Sequence, residues 1–163
     1  LLKNVGKRPQ IRLTSCLAHI RRKFFEAQSN HPELATYALK QIQALYALEK
    51  TYREEGLTFE ARAARREIEA RPLYEALRSW VETEFKQNLS TEAIGKALHY
   101  AQHELPQLEI YLMDGRVEID NNLIENAIRP LALGRKNYLF SGSHDAAQRA
   151  AMLYSFFASC KTM

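Results

Sequence analysis

Glu125 is the residue of this chain with the most chemistry within reach. It closes the run Asp120-Asn121-Asn122-Leu123-Ile124-Glu125, and Arg129 stands four residues further on. Asn122 followed three residues later by Glu125 fits a capping box, in which each side chain bonds the other's backbone N–H. The same carboxylate could instead ligate a hard divalent cation such as Mg2+, which takes oxygen ligands and usually one or two carboxylates plus phosphate oxygens. The spacing leaves both readings open. Arg129 falls on the same helix face, where it could pair with Glu125 or contact a phosphate. One carboxylate does not make a two-metal site, so partners would have to come from elsewhere.

Two basic clusters flank this run at a distance in sequence. Arg135 and Lys136 sit in a turn opened by Gly134, beside Tyr138 and Phe140. Cations interleaved with aromatics suit single-stranded or distorted DNA ends, where bases can stack; a surface turn over an apolar anchor has the same spacing. His19 with Arg21, Arg22 and Lys23 forms the other cluster. Cys16 and His19 have metal-like spacing, but no second Cys/His pair follows as a zinc site requires. His99 and His103 are four apart with Tyr100 where a zincin motif needs Glu, so they read as ordinary helix residues. No P-loop, dinucleotide fingerprint or G-x-S-x-G elbow is present.

Charge is zoned. Residues 1–30 carry seven Lys/Arg and one Glu, residues 31–125 eleven basic and seventeen acidic residues, and residues 126–163 five basic and one acidic. Basic ends around an acidic middle would form one positive surface if they met, the footprint of a polyanion such as DNA. Cys16 and Cys160 are too few and too far apart for a disulfide framework, which fits a reducing, cytoplasmic setting. No run is long enough to span a membrane, so no membrane partner is expected. Leu1 is not a start methionine, so the chain is expected to begin inside a longer protein or after processing.

The elements that must position these residues are mostly helical. Ile11 and Leu13 alternate with Arg12 and Thr14, a short strand signal within 9–15. From Cys16 the period changes to that of a helix, with Leu17, Ile20 and Phe24 on one face. Residues 33–55 form a long amphipathic helix whose seam, Ala35, Ala38, Leu39, Ile42, Leu45, Tyr46 and Glu49, is apolar except at its last member. Gly56 stops it, and Thr58 caps a second helix to about Ala70. Pro72 opens a third helix, with Leu73, Leu77, Trp80, Val81 and Phe85 inward. Ser90 caps a fourth, with Ile94, Ala97, Leu98 and Ala101 on one face, and Pro106 opens a short fifth that Gly115 ends. Residues 33–115 thus read as a bundle of antiparallel helices whose charges lie on solvated faces. After Gly115, residues 116–120 alternate like an extended segment. Residues 123–129 form a short helix limited by Pro130, 134–137 a turn, and 138–140 a short strand or loop. Ser141-Gly142-Ser143 breaks the chain before a buried final helix over 144–161.

Two stretches resemble a known family. Cys16-Leu17-Ala18-His19-Ile20-Arg21-Arg22-Lys23-Phe24-Phe25-Glu26-Ala27 is similar to the C-x-A-H-x-R-R-K-F segment of the insertion-sequence-sixty-six transposases. The block from Asp114-Gly115-Arg116 through Asp120-Asn121-Asn122-Leu123-Ile124-Glu125 and Gly134-Arg135-Lys136-Asn137-Tyr138 to Ser143 resembles that family's most characteristic stretch. Gly95-Lys96-Ala97-Leu98-His99-Tyr100-Ala101 is similar too. The common family form has Arg after the glutamate, where this chain has Asn126.

The resemblance implies a mainly α fragment: the C-terminal part of an RNase H-like α/β core, with one or two short strands, interrupted by a helical insertion. Residues 1–32 would end the core, with 11–15 its last strand. Residues 33–115 would be the insertion, and 116–163 the glutamate helix, basic turn and C-terminal helix. Such DDE enzymes hold two aspartates and one glutamate around two divalent metals, Mg2+ or Mn2+, and cut and join DNA ends by in-line phosphoryl transfer. Glu125 matches the glutamate, as catalytic residue and metal ligand. Arg21, Arg22, Lys23, Arg129, Arg135 and Lys136 are the DNA-contact candidates, with His19, Asn121 and Asn122 as supporting motif residues. No Asp or Glu precedes Glu26, so both aspartates are absent here. The metals are expected only where those aspartates are present, and the fragment alone is expected to be inactive. Partners would be transposon-end DNA, further copies of the chain and accessory proteins of the same element. The competing reading is a non-enzymatic DNA-binding or protein-docking helical module, the remnant of a transposase.

Overall fold

The computed structural model describes residues 12–88, 91–138 and 142–162; for 131, 135–138, 158, 161 and 162 it describes the backbone alone. The helices are α1 (Leu17–Ala27), α2 (Pro32–Glu54), α3 (Phe59–Arg65), α4 (Arg71–Gln87), α5 (Ala93–Met113), α6 (Asn122–Tyr138) and α7 (His144–Thr162), with a π turn, Arg66–Ala70, between α3 and α4. They divide into two compact units, Leu1–Asp120 and Asn121–Met163.

The first unit is a helical bundle built on apolar spacing. Leu17, Ile20, Phe24 and Ala27 recur at three and four residues along α1, and all four are buried. On α2, Ala35, Ala38, Ile42 and Leu45 continue the same rhythm. The α5 helix supplies Ile94, Gly95, Ala97, Leu98 and Ala101, small residues alternating with large ones. That alternation lets α1 and α4 lie close against it. Tyr74, Leu77 and Val81 of α4 close the same core. Trp80 packs at its edge between Phe24 and Tyr37, with ring centroids 6.1 and 4.8 Å away. Each large aliphatic or aromatic side chain so buried is worth about 1.5–3 kcal/mol. Thus α1 belongs to one hydrophobic core with α2, α4 and α5.

Helix ends follow local chemistry where the cap is clear. The Thr58 hydroxyl accepts from the Ala61 N–H at 3.3 Å. Gly56 ends the preceding helix with φ +63°, a conformation glycine adopts without a Cβ penalty. Ser90, the expected cap of the next helix, lies outside the described residues, and Glu92 flanks the first turn of α5.

Three proline boundaries read differently in the structure. Pro106 does not open a new helix but sits inside α5. The buried stripe runs straight through it, from Leu98 and Ala101 to Leu105, Leu108 and Leu112, and this packing outweighs the lost backbone hydrogen bond. Pro72 does not start a separate helix either. The π turn just before it carries α3 on into α4, with Arg71 N–H donating to Arg66 O five residues back; the wider turn leaves room for the ring. Pro130 lies within α6, which reaches Tyr138 rather than ending at Arg129. Leu131, Ala132 and Leu133 are strong helix formers, so the turn expected at 134–137 is helix. Residues 139–141 lie outside the described residues.

Among the described residues there is no β-strand. Residues 12–16 have no assigned regular structure, and Cys16 has extended backbone, φ −120° and ψ 118°; residues 9–11 lie outside the described residues. The 116–120 segment is a series of bends, held by side chains rather than by a ladder. An extended residue needs a neighbouring strand to become one.

The second unit comprises α6 and α7. Gly142, at φ +77°, precedes Ser143, whose hydroxyl accepts from Ala146 N–H at 3.1 Å and caps α7. The final helix is not buried as its composition suggests: Met152, Leu153, Phe156 and Phe157 are all exposed, as are Leu123, Ile124, Ile128 and Leu133 of α6. Two helices have too little surface to cover so many apolar side chains. No helix among the described residues is long and apolar enough to cross a membrane.

Candidate functional site

The segment that leads to Glu125 is fastened from several sides. Its anchor is a buried ion pair, one partner of which, Arg66, the sequence reading leaves on a solvated face. Glu49, on the α2 seam, receives the Arg66 guanidinium in a fork, Nε to Oε1 and Nη2 to Oε2, both at 2.8 Å. Both side chains are fully buried. Tyr111 closes the group: its hydroxyl donates to Glu49 Oε1 at 2.7 Å, and the guanidinium lies over its ring at 4.1 Å. Burial and the Glu49 charge push the Tyr111 hydroxyl well above the usual phenol range.

Arg66 spends its remaining donor on the backbone. Nη1 points to three carbonyls, Tyr111 at 2.8 Å, Val117 at 2.9 Å and Asp114 at 3.0 Å. Charge-assisted bonds of this kind are the strong ones. Arg62, one turn earlier, donates to Glu118 Oε1 at 3.0 Å and reaches the Gly115 carbonyl at 3.4 Å. Together these two arginines bond one carbonyl of the last turn of α5, Tyr111, and three of the segment that follows it, Asp114, Gly115 and Val117.

The rest of the segment is tied down by its own residues. Asp114 accepts from the Arg116 N–H at 2.9 Å and from the Arg116 guanidinium at 2.7 Å. Those bonds draw its carboxyl down to about 2. A Cβ on Gly115 would stand 1.9 Å from the Phe59 carbonyl oxygen, so only glycine fits. Ile119 is buried and its carbonyl accepts from the Leu17 N–H at 3.1 Å. The Tyr46 hydroxyl donates to Asp120 Oδ2 at 2.9 Å. Desolvation first, and then the Asp120 charge, raises the Tyr46 hydroxyl above its ordinary range. The start of α1 and the end of this segment, far apart in sequence, therefore meet.

In the second unit the Glu125 N–H donates to the Asn121 carbonyl at 2.9 Å. Asn121 thus flanks the helix and Asn122 is its first residue, one position earlier than the capping-box reading places the cap. Glu125 and Arg129 are both exposed, one turn apart on α6. The side chains of Arg135 and Lys136 lie outside the described residues. On α1, His19, Arg21, Arg22 and Lys23 are exposed. Arg22 and Lys23 share one carboxylate, Glu26, at 3.0 and 3.4 Å. The structure thus gathers the α1 candidates on one helix and Glu125 with Arg129 on another, in separate units. The meeting of the two basic ends lies outside the description, because residues 1–11 do.

Among the described residues no group of three or more His, Cys, Asp or Glu side chains is placed to hold a metal ion. Glu125 by itself offers one exposed carboxylate, too few ligands for the pair of cations of a two-metal site.

Comparison with known proteins decides the family. The model of the family described as "Transposase IS66 family" matches residues 2–149. This chain belongs to the IS66 transposase family. Similar curated proteins come from Sinorhizobium fredii: uncharacterized protein y4hP is 31% identical, with 90% of this chain and 28% of the relative covered. Uncharacterized protein y4qI is 33% identical, with 96% of this chain and 29% of the relative covered. The chain thus spans less than a third of the length of these relatives. No solved structure matches it. Within the IS66 chain, the residues that hold this segment and that sequence reasoning misses are the buried ones. Glu49 signals itself as the one charged member of an apolar seam; Arg62 and Arg66 sit unmarked in an arginine-rich helix.

Proposed function

We propose that this chain is the C-terminal part of a transposase that cuts and joins DNA ends, with Glu125 as one metal-ligating carboxylate of its catalytic centre. The observation that carries the reading is the family match over 2–149, which takes in the whole run from Asp114 to Ser143. Glu125 stands in the first turn of α6, where the helix fixes the direction of its side chain. Its charge would be delivered there to a divalent cation, Mg2+ or Mn2+, that activates the attacking oxygen and stabilises the leaving one. Two further carboxylates are required, and no Asp or Glu precedes Glu26. The fragment alone is therefore inactive on this reading.

The division into core end (1–32), helical insertion (33–115) and glutamate helix with C-terminal helix (116–163) belongs to the same proposal, as does a cytoplasmic setting. It must accommodate one finding: α1 shares its core with α2 and α5. The exposed apolar faces of α6 and α7 support packing against further protein, the RNase H-like core on this reading. Arg21, Arg22, Lys23, Arg129, Arg135 and Lys136 are proposed DNA contacts, with His19, Asn121 and Asn122 supporting the two motifs. In the intact parent, Glu125→Gln should abolish strand cleavage while end binding persists. Unchanged cleavage would refute the assignment.

A second reading concerns the chain by itself. The single carboxylate of the motif, Glu125, and the exposed basic face of α1 suit a DNA-binding or protein-docking module without catalysis. Added intact core restoring cleavage would favour the enzyme; binding without any such rescue would favour the module.

A further inference from the structure

The geometry points to a contact site for the DNA phosphate backbone in the open groove between α1 and α5, formed by Lys23, Lys96, His99 and Tyr100. This inference rests on the DNA-handling function proposed above and adds residues to it. The groove is lined by all four side chains. Lys23 comes from α1 and the other three from α5, at positions i, i+3 and i+4, which share one helix face.

Charge and chemistry suit a polyanion. Lys23 has only a share of Glu26, because Arg22 bonds the same carboxylate at 3.0 Å. Lys96 is exposed and, among the described residues, enters no ion pair. Two ammonium groups in one groove repel each other unless an anion sits between them. A chain of phosphates is such an anion, and lysine serves it as a point charge without reading sequence. The flanks add donors: the His99 ring is exposed and held against Phe85, with ring centroids 5.8 Å apart, and the Tyr100 hydroxyl could donate to a phosphate oxygen. The groove floor is fixed, because α1 and α5 meet through the buried Ile20, Phe24, Ala97 and Leu98. Because the packed core fixes the two helices, binding has only the lysine side chains to order.

The test is binding of the full 163-residue chain to a labelled DNA duplex of arbitrary sequence, followed by fluorescence anisotropy over a series of salt concentrations. Lys96→Glu and Lys23→Glu should each weaken binding roughly tenfold at low salt and lower the slope of log affinity against log salt by about one phosphate contact. Lys50→Glu, the same charge change at an exposed lysine outside the groove, should leave the slope unchanged. Lys96→Gln, which removes charge without adding any, guards against misfolding, with matching circular dichroism melts as the check. Wild-type binding in both Lys96 variants would overturn the groove and leave the DNA function standing. No binding of the unaltered chain at low salt would overturn the groove and the DNA-binding-module reading, while the transposase reading rests on the Glu125→Gln test in the intact parent. Equal losses from Lys50→Glu would show a diffuse charge effect and overturn the groove as a site.

Discussion

Arg66 and Glu49 face each other in the interior of the helical bundle, fork to fork, with two contacts of 2.8 Å and no exposure to water. Ion pairs this deep usually gain little over apolar replacements, because desolvation offsets attraction. This pair differs in that Arg66 also serves three backbone carbonyls. Arg66→Ala would strand a buried carboxylate and those carbonyls together, at a cost of about 3–5 kcal/mol. Glu49→Gln keeps an acceptor for Tyr111 and should cost less. Urea unfolding of both variants checks the order; a loss below about 1 kcal/mol for Arg66→Ala would show that the pair does not hold the segment.

Gly115 and Gly56 should respond differently to alanine. At Gly56 there is open space and only the positive φ resists, so Gly56→Ala should cost about 1 kcal/mol. At Gly115 the new Cβ would stand 1.9 Å from a backbone oxygen. The Phe59 backbone must move, and the loss should be at least about 2 kcal/mol. Thermal melts that rank the two the other way would contradict the close approach.

Pro106 lies exposed within α5. Alanine there returns one backbone donor to the helix and loses little packing, so Pro106→Ala should raise stability by about 1 kcal/mol or more. A lower melting temperature would mean that the ring contributes to packing after all.

Asp114 gives a pH signature. Its carboxyl is drawn from 3.8 to about 2 by Arg116. A lowered folded-state pKa means that its contribution is present above 3.8 and fades as pH falls from there through about 2. Carboxyl-resolved NMR should show Asp114 titrating near that lower value, and Arg116→Ala should return it towards the ordinary aspartate range. An unchanged titration in the variant would remove Arg116 as the cause.

The bundle was legible because its apolar rhythm is regular. Leu17, Ile20 and Phe24, or Ala35, Ala38, Ile42 and Leu45, announce which face is inward. Boundaries at prolines were not, because Pro106 and Pro130 obey a local rule that tertiary packing and the helix formers around them override. Gly115 was readable as a terminator, yet its reason is the Phe59 carbonyl, 56 positions away in sequence. Glu49 stood out on its seam, but nothing local distinguishes Arg66 from Arg65, whose side chain turns outward to Glu55 and Glu69. The candidate carboxylate itself was legible only through its motif, since a helix start explains an acidic residue equally well.

The π turn at Arg66–Ala70 has a consequence for how this helix tolerates change in length. One residue removed from that turn could leave an unbroken α-helix from Phe59 to Gln87. Each residue of a helix advances the face by about 100°. The shortened helix would carry Tyr74, Leu77 and Val81 away from the core if Arg62 stayed in place, or would swing both arginines away from the segment that they hold. The extra residue is therefore a phase shifter: it lets one continuous rod present its arginines and its apolar stripe to different neighbours, and a single-codon deletion there would be far more damaging than any one substitution among the exposed residues around it.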